Sequence, residues 1–503
     1  MSRRRGRKNR TPAAGEQKDM LTQRQIIEEY GVSKNQIHRY FPKPQVRAIR
    51  KRNGIYWNIG VWPREQVEQQ LSHPEIARTL EEKKNAENEQ KQLSRIREIF
   101  REYSPEAYVE RAKKMKRSFV LHVGPTNSGK TYDAIEDLKK NTPGTYLGPL
   151  RLLALEMFDR INAAGIPCSM LTGEESIPVE NAVIVSSTIE LCDCKSHFKT
   201  AVIDEAQLIA DPSRGASWLR AICLVDADVV HICMAPEALA YIESLIKSFE
   251  DPYTVVRHER LAPLRYGGIC SDYSDLRPED ALICFSRKSV LSTAALLEKN
   301  GFRASGISGA VPPEARRNEV RRYTSGETNI VVATDAIGLG ISLPIKRVVF
   351  AETEKYDGRV FRTLSTAEIN QIGGRAGRYG MNEYGEVLVM GNNSVVRDKL
   401  GKSVRNVRAA CIAFPREVLG LDDPIALLLK AWQSMEPSSG FVREDMRDPQ
   451  ILLKCLSGLR ALETEKELVF DLITCPVDTR TEELVSYWAE CARAILKKKR
   501  VPV

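Results

Sequence analysis

Gly124-Pro125-Thr126-Asn127-Ser128-Gly129-Lys130-Thr131 reads Gly-x4-Gly-Lys-Thr. Gly124 and Gly129 permit backbone angles that a side chain would block, so successive N–H groups can wrap a polyphosphate. Lys130 supplies a positive charge for the terminal phosphates, and the Thr131 hydroxyl suits a Mg²⁺ ion. The flanks agree. Phe119-Val120-Leu121-His122-Val123 is a short apolar run of the kind found in buried strands. Ala134, Ile135 and Leu138 follow at helical spacing. A strand, a loop and a helix N-terminus form an anion site by geometry and dipole. The stretch therefore predicts an α/β domain that holds ATP and Mg²⁺, with Gly124 through Thr131 lining the nucleotide.

About 80 residues on, Ala201-Val202-Ile203-Asp204-Glu205-Ala206-Gln207 ends an apolar strand in two carboxylates. The acids then emerge at the strand's C-terminal edge, where ligands bind in parallel sheets. Asp204 is expected to hold Mg²⁺ with Thr131, Glu205 to deprotonate the attacking water, and Gln207 to link nucleotide to a nucleic-acid side. Gln371-Ile372-Gly373-Gly374-Arg375-Ala376-Gly377-Arg378 offers two guanidinium forks, a geometry suited to phosphate. Supplied from a second domain, Arg375 and Arg378 would complete the phosphate site only on closure of a cleft.

The alternation of strand and helix predicts two parallel α/β domains, 117–265 and 266–393. Candidate strands are 119–123, 145–147, 183–186, 201–203, 229–233 and 254–256, then 281–285, 329–333, 347–350 and 386–390. Residues 18–72 form a separate small module. Thr22 and Ser33 are candidate N-caps, and Gly31 stops the first of two short helices. The second helix carries Lys34, Asn35, His38 and Arg39. This layout resembles a winged helix-turn-helix of the excisionase or MerR type. Residues 73–116 read as a charged helical connector whose Leu93, Ile96, Ile99 and Phe100 give one sticky edge. Residues 394–503 read as helices over 424–433, 449–462 and 481–496.

The chain of 503 residues is too long for one core and has a net charge of +9. Arg3, Arg4, Arg5, Arg7, Lys8 and Arg10 supply six of those charges, which leaves a mildly basic remainder. Residues 1–17 thus read as a basic disordered tail suited to nucleic-acid phosphates. No apolar run is long enough to span a bilayer, and no signal peptide is evident, so no membrane association and a cytoplasmic place are expected, with the mitochondrial matrix as the alternative. Cys192-Asp193-Cys194 near His197 lacks a usual zinc spacing, and the 11 cysteines read as ordinary thiols of a reducing compartment.

In this order, the phosphate loop, the Asp-Glu-x-Gln box and the Gln-x-x-Gly-Arg-x-Gly-Arg box resemble a superfamily 2 helicase. Gly148 to Glu156, Leu171 to Glu175, Asp211 to Gly215, Arg260 to Leu264, Cys284 to Ser286 and Ala333 to Gly340 narrow this to the mitochondrial degradosome RNA helicase (the Suv helicase) and its bacterial relatives. The resemblance implies two tandem RecA-like domains with ATP between them and single-stranded or partly duplex RNA across their top, unwound 3′ to 5′. It carries Gly338 and Gly340 to the nucleotide, and Arg151, Thr172, Gly173 and Thr334 to the nucleic-acid backbone. The N-terminal module is a departure from the family core, and the C-terminal region is short. A DNA helicase or remodeller, with DNA bound through residues 18–72, is one alternative. An ATP-driven clamp or scaffold that recruits a partner is another. A nuclease partner rests on analogy alone.

Overall fold

The computed structural model describes residues 20–50, 56–260, 262–308, 313–338, 343–356, 360–377, 383–391, 393–475 and 477–498. The basic tail, Gly340 and Arg378 lie outside the described residues. The chain divides into two compact units, Met1–Glu98 and Ile99–Val503.

The first unit begins with two short helices, Gln23–Tyr30 and Lys34–Tyr40. Thr22 and Ser33 each cap one, with Gln25 and Gln36 completing capping boxes, and Gly31 ends the first helix at φ 70°. Four orphan N–H groups open every helix, so a side-chain cap decides where a helix this short begins. Ile26, Val32, Ile37, Trp62, Val67 and Ile76 form the core. Trp62 is a core residue, its ring N–H donating to Pro42 O at 2.7 Å. The module is not purely helical as expected. Met20–Thr22, Tyr56–Pro63 and Gln45–Arg50 make a three-stranded antiparallel sheet, and the last two strands form a wing-like hairpin.

The second unit holds two parallel sheets. The first orders its strands Tyr253–Arg257, Ser118–Val123, Asp226–Met234, His197–Ile203, Gly144–Gly148, Ile184–Thr188, Cys168–Leu171 and Ser176–Ile177. Only the last joins antiparallel. The second sheet runs Leu264–Cys270, Gly385–Met390, Arg347–Phe350, Asp280–Ile283, Ile330–Ala333 and Ala304–Ile307, all parallel. The strand Leu264–Cys270 starts before residue 266, so the second sheet begins earlier than the sequence boundary. Helices cover both faces, the arrangement that fully buries apolar strands such as Ile330–Ala333. Residues 394–503 are not all helix either. Ala410–Ile412 and Phe441–Arg443 pair in parallel, and the predicted helix 449–462 breaks into Arg447–Cys455 and Ala461–Thr464 around Gly458 at φ 80°. Phe100, from the sticky edge of the connector, meets Phe414 and Trp432 at ring separations of 5.6 and 5.4 Å.

Buried arginines fasten the bases of both sheets. Arg117 donates from Nη1 to Ile222 O, Cys223 O and Val225 O, and from Nε to Asp251 at 3.3 Å. Arg347 meets Asp280 through Nε at 2.7 Å and Nη2 at 2.5 Å. A buried charge without such partners would cost several kcal/mol.

Beneath the phosphate loop runs a chain of three histidines. His231 Nε2 lies 2.9 Å from Asp137, His231 Nδ1 lies 2.9 Å from His122 Nε2, and His122 Nδ1 lies 3.0 Å from His258 Nε2. His258 Nδ1 faces Asp133 at 3.8 Å. Asp137 can only accept, so His231 carries its proton on Nε2, and the same tautomer is imposed on His122 and His258 in turn. His231 and His122, each donating from Nε2 and accepting at Nδ1, are therefore neutral. Burial first, then the neighbouring His231 and His258, lower His122 from 6.5 to about 4. A histidine with a lowered pKa takes up its proton more readily when unfolded. Stability is then full above about pH 6.5 and falls as the pH drops toward 4, by on the order of 2 kcal/mol for His122 alone. Urea midpoints at pH 7 and pH 4.5 should differ less in His122→Gln than in the parent chain; equal differences would show that His122 titrates alike in the folded and unfolded chain.

Candidate nucleotide cleft

The phosphate loop occupies the turn from strand Ser118–Val123 into helix Lys130–Lys140. Gly129 at φ 83° is the N-cap of that helix, so the first N–H groups point into the loop. Asn127 also takes a left-handed backbone, at φ 64°. The buried Lys130 ammonium folds back to Pro125 O at 3.3 Å. The Ser128 hydroxyl is buried with no hydrogen-bond partner. A buried orphan hydroxyl is costly, and this one lies in the loop expected to wrap a polyphosphate.

Asp204 and Glu205 leave the C-terminal end of strand His197–Ile203, as the apolar run before them predicts. Asp204 is gripped from every side. Thr131 Oγ1 donates to its Oδ1 at 3.1 Å, Tyr146 OH donates to its Oδ2 at 3.0 Å, and the Trp218 ring N–H donates to its carbonyl at 2.9 Å. Burial and then the adjacent Glu205 push the Asp204 carboxyl up to about 6. Two buried carboxylates side by side call for a cation, and Thr131 and Asp204 already touch, so these residues fit the Mg²⁺ expected of them. Glu205 itself sits at φ 51°. That conformation costs a side-chain-bearing residue about 1–2 kcal/mol, and it turns the Glu205 carboxylate onto Gln207 Nε2. Gln207 Oε1 in turn accepts from Ala235 N at 3.0 Å.

The second domain brings helix Thr366–Gly373 and the turn after it to the same cleft. Asn127 Nδ2 donates to Gly377 O at 2.8 Å, directly from the phosphate loop. Gly374 must be glycine, because a Cβ there would lie 2.6 Å from Asn370 O and 2.9 Å from Thr126 Cβ. Arg375 donates from Nε and Nη2 to Gly338 O at 3.1 and 2.6 Å. A Cβ on Gly338 would in turn sit 3.6 Å from Gln371 Cγ. Thr131 with Asp204, and Glu205 with Gln207, thus meet at the end of the first sheet, and the turn holding Arg375 is tied to the phosphate loop through Asn127 and Gly377 O.

One residue at the centre of this arrangement has no spacing signature. Arg260, in the segment joining the two sheets, donates from Nη1 to Thr126 O at 2.9 Å and to Gly374 O at 2.8 Å. Its Nη2 donates to Ala376 O, and its Nε to Ala262 O at 2.6 Å. Burial, with Arg375 nearby, lowers it to about 10. It holds the phosphate loop and the arginine-bearing turn together through carbonyls alone.

The expected nucleic-acid residues are more dispersed. Arg151 opens helix Arg151–Ala163, exposed and paired with Glu174. The Thr172 hydroxyl is buried and bonded within its own turn, donating to Glu175 O and accepting from Glu175 N, each at 3.1 Å. It shapes the turn, and the space around the Cα of Gly173 is open. Thr334 is buried at the end of strand Ile330–Ala333, its N–H donating to Ile307 O at 3.1 Å.

Comparison with known proteins adds to this geometry. Residues 105–258 match the family described as the DEXQ-box helicase domain of Suv3, and residues 268–380 match the helicase conserved C-terminal domain. The chain is 37% identical over 320 residues to the mitochondrial ATP-dependent RNA helicase SUV3 of Candida albicans, an alignment spanning 61% of this chain and 44% of that protein. It is 40% identical over 280 residues to the mitochondrial DExH-box ATP-dependent RNA helicase DExH16 of Arabidopsis thaliana, spanning 55% and 49%. It therefore spans about half the length, or less, of these relatives. Among solved structures, the Escherichia coli DEAH/RHA helicase HrpB shares the fold at a TM-score of 0.50 and 17% identity, over 76% of this chain and 55% of that one.

Removing the Arg260 guanidinium would orphan four carbonyls at once. Arg260→Ala should lose about 2–4 kcal/mol and split one thermal transition into two as the domains uncouple. A single, unshifted transition by calorimetry would show that the contact is dispensable.

Proposed function

We propose that this chain, which carries the two domains of a Suv3-type helicase core between residues 105 and 380, is an ATP-dependent RNA helicase that moves 3′ to 5′ along single-stranded RNA. One observation carries the reading. Lys130 with Thr131, Asp204 with Glu205, and the turn bearing Arg375 come from three distant segments and meet at a cleft between two domains. ATP held in such a cleft is sensed by both domains, so its hydrolysis can be converted into their relative motion.

In this reading Gly124 to Thr131 wrap the triphosphate, and Lys130 leaves Pro125 O for the terminal phosphates. Thr131 and Asp204 would hold Mg²⁺, which neutralises charge developing on the phosphates. Glu205, oriented by Gln207, takes the proton of the attacking water. Arg375 leaves Gly338 O and, with Arg378 and Gln371, stabilises the transferring phosphoryl group. Gly338 and Gly340 would line the nucleotide. RNA contacts fall to Arg151, Gly173 and Thr334, with Thr172 shaping the turn beside Gly173. The Arg151–Glu174 pair is an exposed one, worth at most about 1 kcal/mol, so a backbone phosphate can displace Glu174. Among the described residues no helix is long and apolar enough to cross a membrane. The relatives carry "mitochondrial" in their names, which favours the matrix over the cytoplasm expected first.

The winged module supports a second nucleic-acid contact. Lys34, Asn35, His38 and Arg39 are all exposed on its second helix, while Ile37 points into the core. Such a helix can lie against a duplex in the manner of a recognition helix.

Lys130→Ala should lose ATP binding together with turnover, whereas Glu205→Gln should bind ATP and RNA but hydrolyse about 10²–10⁴-fold more slowly. Arg375→Ala should lower turnover more than ATP affinity. Strand separation on substrates with a 3′ or a 5′ RNA overhang, against matched DNA, checks polarity and substrate together; faster unwinding from the 5′ overhang or of DNA would overturn the assignment. Lys34→Ala with Arg39→Ala should reduce the salt slope of binding by about 2 while leaving basal ATPase unchanged. An unaltered slope would remove the module from the phosphates.

A further inference from the structure

Cys192 and Cys194 lie outside the cleft and take no part in the mechanism above. The local fold puts them side by side. Cys192 closes the short turn Ile189–Leu191, with its N–H on Ile189 O at 3.2 Å. The Asp193 carboxylate then accepts the N–H groups of Lys195 at 2.8 Å and Ser196 at 3.2 Å, which folds the chain back on itself. As a result Cys194 Sγ stands 3.8 Å from Cys192 Sγ and 3.6 Å from Cys192 O. Other cysteines look elsewhere. The Sγ atoms of Cys270, Cys411, Cys455 and Cys475 donate to the carbonyls of Asp272, Pro212, Ile451 and Asp471.

A metal is not what this pair is built for. Among the described residues no group of three or more His, Cys, Asp or Glu side chains is disposed to hold one. His197, the nearest histidine in sequence, is engaged by Asp226 at 3.1 Å and Asp228 at 3.3 Å. What two thiols at this separation can do is bond. A disulfide needs about 2.05 Å between sulfurs, so rotation of the two side chains has to close the gap from 3.8 Å.

We propose that Cys192 and Cys194 are a redox-active dithiol that a hydroperoxide closes to an intramolecular disulfide. The two sulfurs have different roles. Cys194 is partly exposed and Cys192 is buried, so an oxidant from solvent meets Cys194 first. The contact with Cys192, and then the Arg220 guanidinium, lower the Cys194 thiol to about 7 against the opposing effect of burial. Cys192 is raised by the same contact and by burial. Cys194 thiolate attacks one peroxide oxygen and the O–O bond breaks. The departing alkoxide or hydroxide takes a proton, and Cys194 becomes a sulfenic acid. Cys192 Sγ then attacks Cys194 Sγ, the S–O bond breaks, and the Cys192 proton leaves with the hydroxyl as water. The dithiol loses two electrons and two protons, and the peroxide gains both. An external dithiol reverses the reaction.

The test treats the full chain with hydrogen peroxide at neutral pH, blocks remaining thiols with iodoacetamide, and maps peptides by mass spectrometry. The peptide holding both residues should be lighter by two hydrogens, unalkylated, and restored by dithiothreitol. Cys194 should be lost to alkylation at a lower peroxide dose than the exposed Cys475, because Cys192 stands beside it to close the disulfide. In Cys192→Ser the Cys194 sulfenic acid should persist long enough to be trapped by dimedone. The proposal is overturned if both residues still alkylate at a dose that oxidises Cys475, or if Cys194 bridges instead to Cys223 or to a second chain.

Discussion

A single guanidinium, that of Arg260, sets what the cleft can be. It lies in the segment joining the two sheets and is satisfied by the carbonyls of Thr126, Ala262, Gly374 and Ala376. No carboxylate neutralises it there. A charge held this way relies on carbonyl dipoles, and dipoles work only at short range and correct angle. The phosphate loop and the arginine-bearing turn must therefore stay in register for Arg260 to remain buried. Gly374 makes that register attainable by leaving space beside Thr126. Asn127 adds a second tie, to Gly377 O. Arg117 and Arg347, at the bases of the two sheets, add a carboxylate to their carbonyl partners, Asp251 and Asp280 respectively.

The cleft is also unfinished in a directed way. Lys130 rests on Pro125 O and Arg375 on Gly338 O, both neutral acceptors. Among the described residues the Ser128 hydroxyl has no partner, and burial beside Glu205 raises the Asp204 carboxyl to about 6. Cations parked on carbonyls, acids crowded together and an orphan hydroxyl are each costly alone. In the proposed reading a triphosphate with its cation would relieve them together, Lys130, Arg375 and Ser128 turning to phosphate and the carboxylates to the cation.

Much of this was legible in the sequence, for a physical reason. Phosphate chemistry tolerates few residue types, so Gly129-Lys130-Thr131, Asp204-Glu205 and Gln371 to Arg375 stand out at fixed spacings. The main strands were legible because parallel strands buried on both faces must be apolar throughout. The omissions have equally specific causes. Cys168–Leu171 is only four residues long and contains Ser169. Leu264–Cys270 contains Gly267 and Gly268, with a register shift beside Gly268 at φ 97°, and reads as a turn. The pair Ala410–Ile412 and Phe441–Arg443 is too short for any alternation to show. Arg260 stands in a segment singled out by resemblance, but its latching role and the histidine relay left no local pattern, because their partners are backbone carbonyls or residues about 100 positions away. Thr172 shows the opposite limit: a residue placed by resemblance whose hydroxyl the fold uses for its own turn.

The strand order of the first sheet has a bearing on how the chain is made. Ser118–Val123, first in sequence, lies between Asp226–Met234 and Tyr253–Arg257, the last two strands to be synthesised. At roughly 5–20 residues per second, the ribosome needs on the order of ten seconds to deliver those neighbours. Throughout that interval the phosphate-loop strand has no partner on either edge, and an unpaired apolar strand is a template for misassociation. Arg260 emerges just three residues after the sheet is completed at Arg257. Vectorial synthesis thus delivers the last strand of the first sheet before the latch to the second.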